Sequence, residues 1–138
     1  MKELVRFGIS INDRLLKRFD TLISEKGYVN RSEAIRDLIR NSLIEEDIET
    51  NASVIGVLNL LYDHHKRDLQ DGLTHFQHDY HEKFISSTHV HLDHNNCLEV
   101  ILLRGRAGEI KSLADQMIAL KGIKHGQIYL TSTGEDLS

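Results

Sequence analysis

The sequence predicts an α+β protein in two parts, a short βαα module followed by a βαββαβ domain. Three observations carry that expectation. A period-two apolar run at the N-terminus leads into two stretches of helical period. Beyond them, β-rich runs and helical stripes follow one another as strand, helix, strand, strand, helix, strand. Proline is absent from all 138 residues, as suits regular elements joined by short loops. A content of 40% hydrophobic and 28% charged residues excludes a disordered chain. The longest mostly apolar run, Val54 to Tyr62, falls well short of the roughly 20 residues that span a bilayer. The opening MKELVRFGIS lacks the apolar core of a secretory leader, so no membrane association and a cytoplasmic location are expected. A single cysteine excludes a disulfide scaffold.

The first element runs from Leu4 to Ile11, with Val5, Phe7, Ile9 and Ile11 on one face and Leu4, Arg6, Gly8 and Ser10 on the other. Asn12 can cap a helix bearing Leu15, Leu16, Phe19, Leu22 and Ile23 and ending at Gly27. Asn30 with Glu33 resembles a capping box for the next helix, whose apolar positions are Ala34, Ile35, Leu38, Ile39 and Leu43. The acidic stretch Glu45 to Asn51 has no core-forming pattern and reads as a linker. Next come a strand over Val54–Leu61 and a helix over Lys66–Lys83 with the stripe Leu69, Leu73, Phe76 and Tyr80. Strands Ile85–Leu92 and Cys97–Leu103 flank the turn DHNN, a helix covers Arg106–Leu120, and Ile123–Leu130 closes as a strand. That order is a ferredoxin-like split βαβ unit. The expected domains are residues 1–46 and 53–138, joined by a linker over 47–52.

Charge separates along the same line. Residues 1–44 hold nine Lys/Arg against six Asp/Glu, about +3; the remainder holds eight against fifteen, about −7. A basic head on an acidic body suits a nucleic-acid module fused to something else. A strand and two helices cannot bury enough surface alone, and a lone strand needs a partner. A dimer whose strands pair antiparallel over four helices solves both problems. Such a ribbon exposes Arg6, Gly8 and Ser10 and fits a major groove. Arg6 can reach guanine and Ser10 can donate or accept, whereas Gly8 offers no side chain. The amides at Asn30, Arg31 and Ser32, at a helix N-terminus, can take a phosphate. The plainer alternative is a dimerisation unit with a solvated polar face.

Histidine is the compositional oddity. None of the nine precedes His64, and eight lie between His64 and His94. In THVHLDHNNCLE, His89 and His91 share one face of a strand, and Cys97 follows a turn on the next. Two imidazoles and a thiolate suit a borderline divalent ion such as Zn, Ni or Cu rather than Mg or Ca. His78 points away from its own helix stripe, towards solvent or a neighbouring subunit, and competes with His75 for the fourth ligand position. Glu99, two residues past Cys97, can orient a ligand as an acceptor. His64, His65, His81 and His125 read as solvated, and His94 as at most a secondary participant.

The string HVHLDHNNCLE, with QHDYHEKFISS before it and LKGIKHGQIYLTSTG after it, resembles the nickel-responsive transcriptional regulators, the NikR family. VRFGIS and NRSEAIRDLIR in front resemble the ribbon-helix-helix repressors, so the likeness runs over nearly the whole chain. The resemblance implies a non-enzymatic repressor of nickel uptake genes that reads a palindromic operator in double-stranded DNA. It implies one Ni(II) per subunit in a square plane of His89, His91 and Cys97 from one chain and His78 from another. It further implies a homotetramer, built as a dimer of ribbon-helix-helix dimers around an ACT-like, ferredoxin-like core. A second cation such as K+ between domains is implied at Glu33 and Asp37. Arg6 and Ser10 match the DNA-reading strand, while Gly8 stands where some relatives have a hydroxyl residue. Two rival readings are a metalloenzyme with an open two-His, one-Cys site and a metal storage or delivery protein.

Overall fold

The computed structural model describes residues 3–138, which form two compact units dividing after Asn41, within the second helix. In the first unit, Asn12 opens α1 (Asp13–Glu25) by accepting the Arg14 amide at 2.9 Å. Gly27, at φ +84°, closes it. The Tyr28 amide reaches the Ile23 carbonyl at 3.0 Å and the Gly27 amide reaches Ser24 at 3.1 Å, the Schellman arrangement that a left-handed residue permits. The Asn30 side chain accepts the Glu33 amide at 2.9 Å and opens α2 (Arg31–Glu49). The Glu33 carboxylate turns to Arg36 instead of completing a capping box.

The strand expected over Leu4–Ile11 belongs to no ladder among the described residues. A ladder needs a second strand, and this unit supplies none. Leu4 and Phe7 are accordingly 93% and 71% exposed. Phe7, Ile9 and Ile11 line an apolar groove of about 510 Å³ with Leu15, Phe19 and Leu38.

The linker reading needs correction. Residues 45–49 continue α2, and Ile48 packs on the core of the second unit, a single apolar contact too sparse to register as a pattern. The helix ends where Asn51 adopts φ +61° and the Ala52 amide bonds back to Asp47 at 2.8 Å.

The second unit contains β1 (Ser53–Tyr62), α3 (Arg67–Asp79), β2 (Phe84–His91), β3 (Cys97–Arg106), α4 (Ala107–Ile118) and β4 (Ile123–Ser132). The sheet order is β2-β3-β1-β4 with every neighbouring pair antiparallel, the ferredoxin-like arrangement expected. The helix predicted to reach Lys83 stops at Asp79. Tyr80 leaves helical geometry at φ −118°, and a 3₁₀ turn over His81–Lys83 steers the chain into β2.

Alternation then builds the core. Val54, Leu58, Leu60 and Tyr62 from β1 and Cys97, Ile101 and Leu103 from β3 face Leu69 and Leu73 of α3 and Ile110, Leu113 and Met117 of α4. Val57, Val90, Leu98 and Tyr129 stand on the opposite face, where Tyr129 is 65% exposed. Packing on the helical side is tight. A Cβ at Gly56 would lie 2.6 Å from Ile110 Cγ2 and 3.2 Å from Ile128 Cδ1. Gly56→Ala should therefore lower stability by about 1–3 kcal/mol, the usual cost of overpacking. Urea denaturation would register this as a lower midpoint with an unchanged slope.

Candidate metal centre

Strand register assembles the centre on the helix-covered face of the sheet. Cys97 opens β3 between Tyr62 of β1 and His91 of β2, and Glu99 stands opposite His89. His91 Nδ1 lies 3.8 Å from Cys97 Sγ. The thiol is fully buried, and desolvation pushes its pKa up, opposed in part by the His64 backbone amide. A metal ion must therefore displace the thiol proton to gain its sulfur ligand.

Glu99 is the buried anchor beside this pair. Its Oε1 accepts the Tyr62 hydroxyl at 2.8 Å and faces His89 Nδ1 at 3.4 Å. Its Oε2 receives Ser87 Oγ at 3.3 Å and Gln77 Nε2 at 3.5 Å. Burial and the adjacent carboxylate drive the Tyr62 pKa well above its ordinary value, so its hydroxyl stays a donor. The Tyr62 proton is committed to Glu99, so the Tyr62 oxygen, 3.2 Å from His89 Nδ1, and Glu99 both face it as acceptors; that assigns the His89 proton to Nδ1 and leaves the Nε2 lone pair for a metal.

The grouping differs in one respect from the sequence expectation. Among the described residues, His64, His91 and Cys97 bring one donor atom each within 4.8 Å of one another; a second such group is Asp63, His64 and His65. His89 is in neither, although its ring centroid lies 5.1 Å from that of His91. His64, expected to be solvated, instead has a buried Nδ1 with no hydrogen-bond partner. Desolvation and the neighbouring His65 and His91 rings lower its pKa, favouring the neutral, ligating form. His65 is held by Asp63 at 2.9 Å, and its ring lies 5.1 Å from that of His94.

His78 stands apart from this group. Its side chain is 88% exposed on the last turn of α3, with Asp79 at 3.6 Å. His75, 75% exposed, is held by Asp79 at 2.9 Å.

In the first unit, Arg6, Gly8 and Ser10 are exposed in the segment before α1, and nothing lies within 4 Å of a Cβ built at Gly8. The Asn30 side chain is committed to its cap, and Arg31 to a two-pronged pair with Asp20 at 2.8 Å, while Ser32 is exposed. Glu33 pairs with Arg36. Asp37 accepts from Tyr28 at 2.5 Å and Arg40 at 3.0 Å, contacts that hold its carboxyl below the usual range.

Comparison with known proteins bears on both units. Residues 5–46 match the model of the ribbon-helix-helix proteins of the copG family. Residues 55–131, more than half of the chain, match the NikR C terminal nickel binding domain. The chain belongs to the NikR family. Relatives named "Putative nickel-responsive regulator" include proteins from Geobacter sulfurreducens, 56% identical, and Pelobacter propionicus, also 56% identical, each with 99% of both chains covered. Another, from Nitratidesulfovibrio vulgaris, is 51% identical over the whole of both chains. A solved structure of an uncharacterized Thermotoga maritima protein shares the fold alone. Its TM-score is 0.51 at 10% identity, over 56% of this chain and 96% of that one. NikR proteins are DNA-binding regulators, not enzymes, so the metalloenzyme reading falls.

The residues present fit nickel. Imidazole and thiolate are the donors that borderline divalent ions favour. Two of these donors already stand together, His91 Nδ1 at 3.8 Å from the buried Cys97 Sγ.

Proposed function

We propose that the protein is a nickel-dependent repressor of nickel uptake genes that acts in the cytoplasm on a palindromic operator. The observation that carries this reading is the buried Cys97 thiol with His91 at 3.8 Å and His89 braced by Glu99, in a chain that also carries a ribbon-helix-helix region. In this reading His89, His91 and Cys97 are ligands from one chain, and a neighbouring copy supplies His78. Bound nickel contributes a link between two chains, one ion per subunit. The exposure of His78, turned off its own core, supports its recruitment from outside.

The residues of the chain do the rest. Glu99 holds His89 in its ligating tautomer, and Cys97 gives its proton to solvent. His78, once tethered, orders the segment from His75 to Ile85. That order favours a spacing of the ribbon modules that fits two half-sites, a shift set by differential affinity. The groove of Phe7, Ile9 and Ile11 is where a second N-terminal strand would pair, giving dimers that assemble into a homotetramer. Glu33 and Asp37 are proposed ligands of a second cation such as K+; binding it requires Glu33 to release Arg36 and Asp37 to release Arg40.

Titrating operator DNA with protein, with and without Ni(II), tests the reading. Nickel should tighten binding, and operator DNA should tighten nickel by the same factor. Affinity indifferent to nickel at every concentration would end it. Arg6→Ala in the nickel-loaded protein should relax preference at one base pair by about 1–3 kcal/mol, as read by competition between operator variants.

A further inference from the structure

We infer that His64, His91 and Cys97 form a second, wholly intrachain metal site, which takes Zn(II) in competition with the nickel site. The inference rests on the nickel reading only in that both sites share His91 and Cys97.

The geometry starts from β1. Tyr62 is its last residue and pairs with Cys97, so His64, two residues on, is delivered beside the thiol. Its ring lies 4.6 Å from that of His91, centroid to centroid, at an angle of 68°. Its Nδ1 is buried and has no partner. Such a nitrogen is costly unless something satisfies it, and a metal ion bound to its lone pair would do so. The donor atoms of His64, His91 and Cys97 already lie within 4.8 Å of one another. A zinc ion, with bonds of about 2.0–2.1 Å to nitrogen and 2.3 Å to sulfur, would draw these three donors inward around it.

Ion preference follows from the donors each site can muster. Zn(II) has no geometric demand from its d electrons and accepts three protein ligands with water as the fourth. Ni(II) and Cu(II) favour planar sets of four donors, which in the proposed reading are His89, His91 and Cys97 with a neighbour's His78. An ion held by His64, His91 and Cys97 leaves a neighbour's His78 unbound. Binding is a proton exchange, the Cys97 thiol proton passing to solvent as the Zn–S bond forms. Occupation by zinc would thereby withhold two nickel ligands without joining the subunits, a means of telling the two ions apart.

Chelator competition with Zn(II) and, separately, Ni(II) on the full-length protein tests this. His64→Ala should weaken zinc by more than about 100-fold, beyond the usual loss for an outer-shell partner, and leave nickel within twofold. His64→Gln, closer in size, should do the same, and its retained nickel affinity certifies the fold. His78→Ala should have the reverse effect. Unchanged zinc affinity in both His64 variants overturns the inference. So does an equal loss of both metals in a variant whose circular dichroism is native. Nickel affinity untouched by His78→Ala overturns the nickel reading instead, and leaves the zinc result to stand or fall alone.

Discussion

A Cys97→Ala protein is expected to bind nickel more than about 100-fold less tightly, exceeding the upper range for loss of an outer-shell partner. The residue is fully buried at the start of β3, with His91 Nδ1 3.8 Å from its sulfur. Neither neighbouring strand offers another soft donor, because this is the chain's one cysteine. Alanine is small and apolar, so the loss of stability should be modest beside the loss of metal. The wild-type titration should show the same chemistry through pH. Burial raises the thiol pKa, so the free protein holds the proton at neutral pH and nickel must displace it. Affinity should therefore rise roughly tenfold per pH unit for that one proton, and weaken on acidification. Isothermal titration in two buffers of different ionisation enthalpy measures the proton released. A Cys97→Ala protein that keeps full affinity, or wild-type binding without proton release, would show that sulfur is not a ligand.

Glu99→Gln should cost about 10–100-fold in nickel affinity although Glu99 need never touch the ion. Its carboxylate gathers Tyr62, His89, Ser87 and Gln77. Glutamine keeps the volume but replaces one acceptor oxygen by a donor, and it no longer presents a charge to His89 Nδ1. The ring then loses the acceptor that helps fix its tautomer. An unchanged affinity, measured by chelator competition, would reduce the network to packing. The sign is also checkable in Tyr62→Phe, which removes one donor to Glu99 and should have the smaller effect of the two.

Much of this was legible in residue order because it is local. The β-rich runs placed β1, β2, β3 and β4, and Asn12, Gly27 and Asn30 marked helix ends through hydrogen bonds within a few residues. His89, His91 and Cys97 stood out for the same reason, since a strand and a tight turn fix their faces. His64 did not. Its place beside Cys97 is set by pairing between β1 and β3, some 35 residues apart in sequence, and no short-range pattern encodes that register. The signal was there only in hindsight: His64 follows Tyr62, the last core residue of β1, into the cluster. The helical identity of residues 45–49 was hidden because a lone Ile48 carries their packing. The N-terminal strand has the opposite problem. Its pattern is clear, but no ladder among the described residues expresses it, and an unpaired strand needs a partner.

The central claim is that one nickel ion is held by two chains, and mixing two defective proteins tests it most directly. His78→Ala retains His89, His91 and Cys97, and Cys97→Ala retains His78; neither should bind nickel tightly alone. Co-refolded in equal amounts, they can form interfaces in which one chain's three ligands meet the other's His78. The account predicts that tight nickel binding and its thiolate charge-transfer absorption return in the mixture, on a minority of sites. A mixture as inert as its components, or a His78→Ala protein that binds nickel fully by itself, would contradict it.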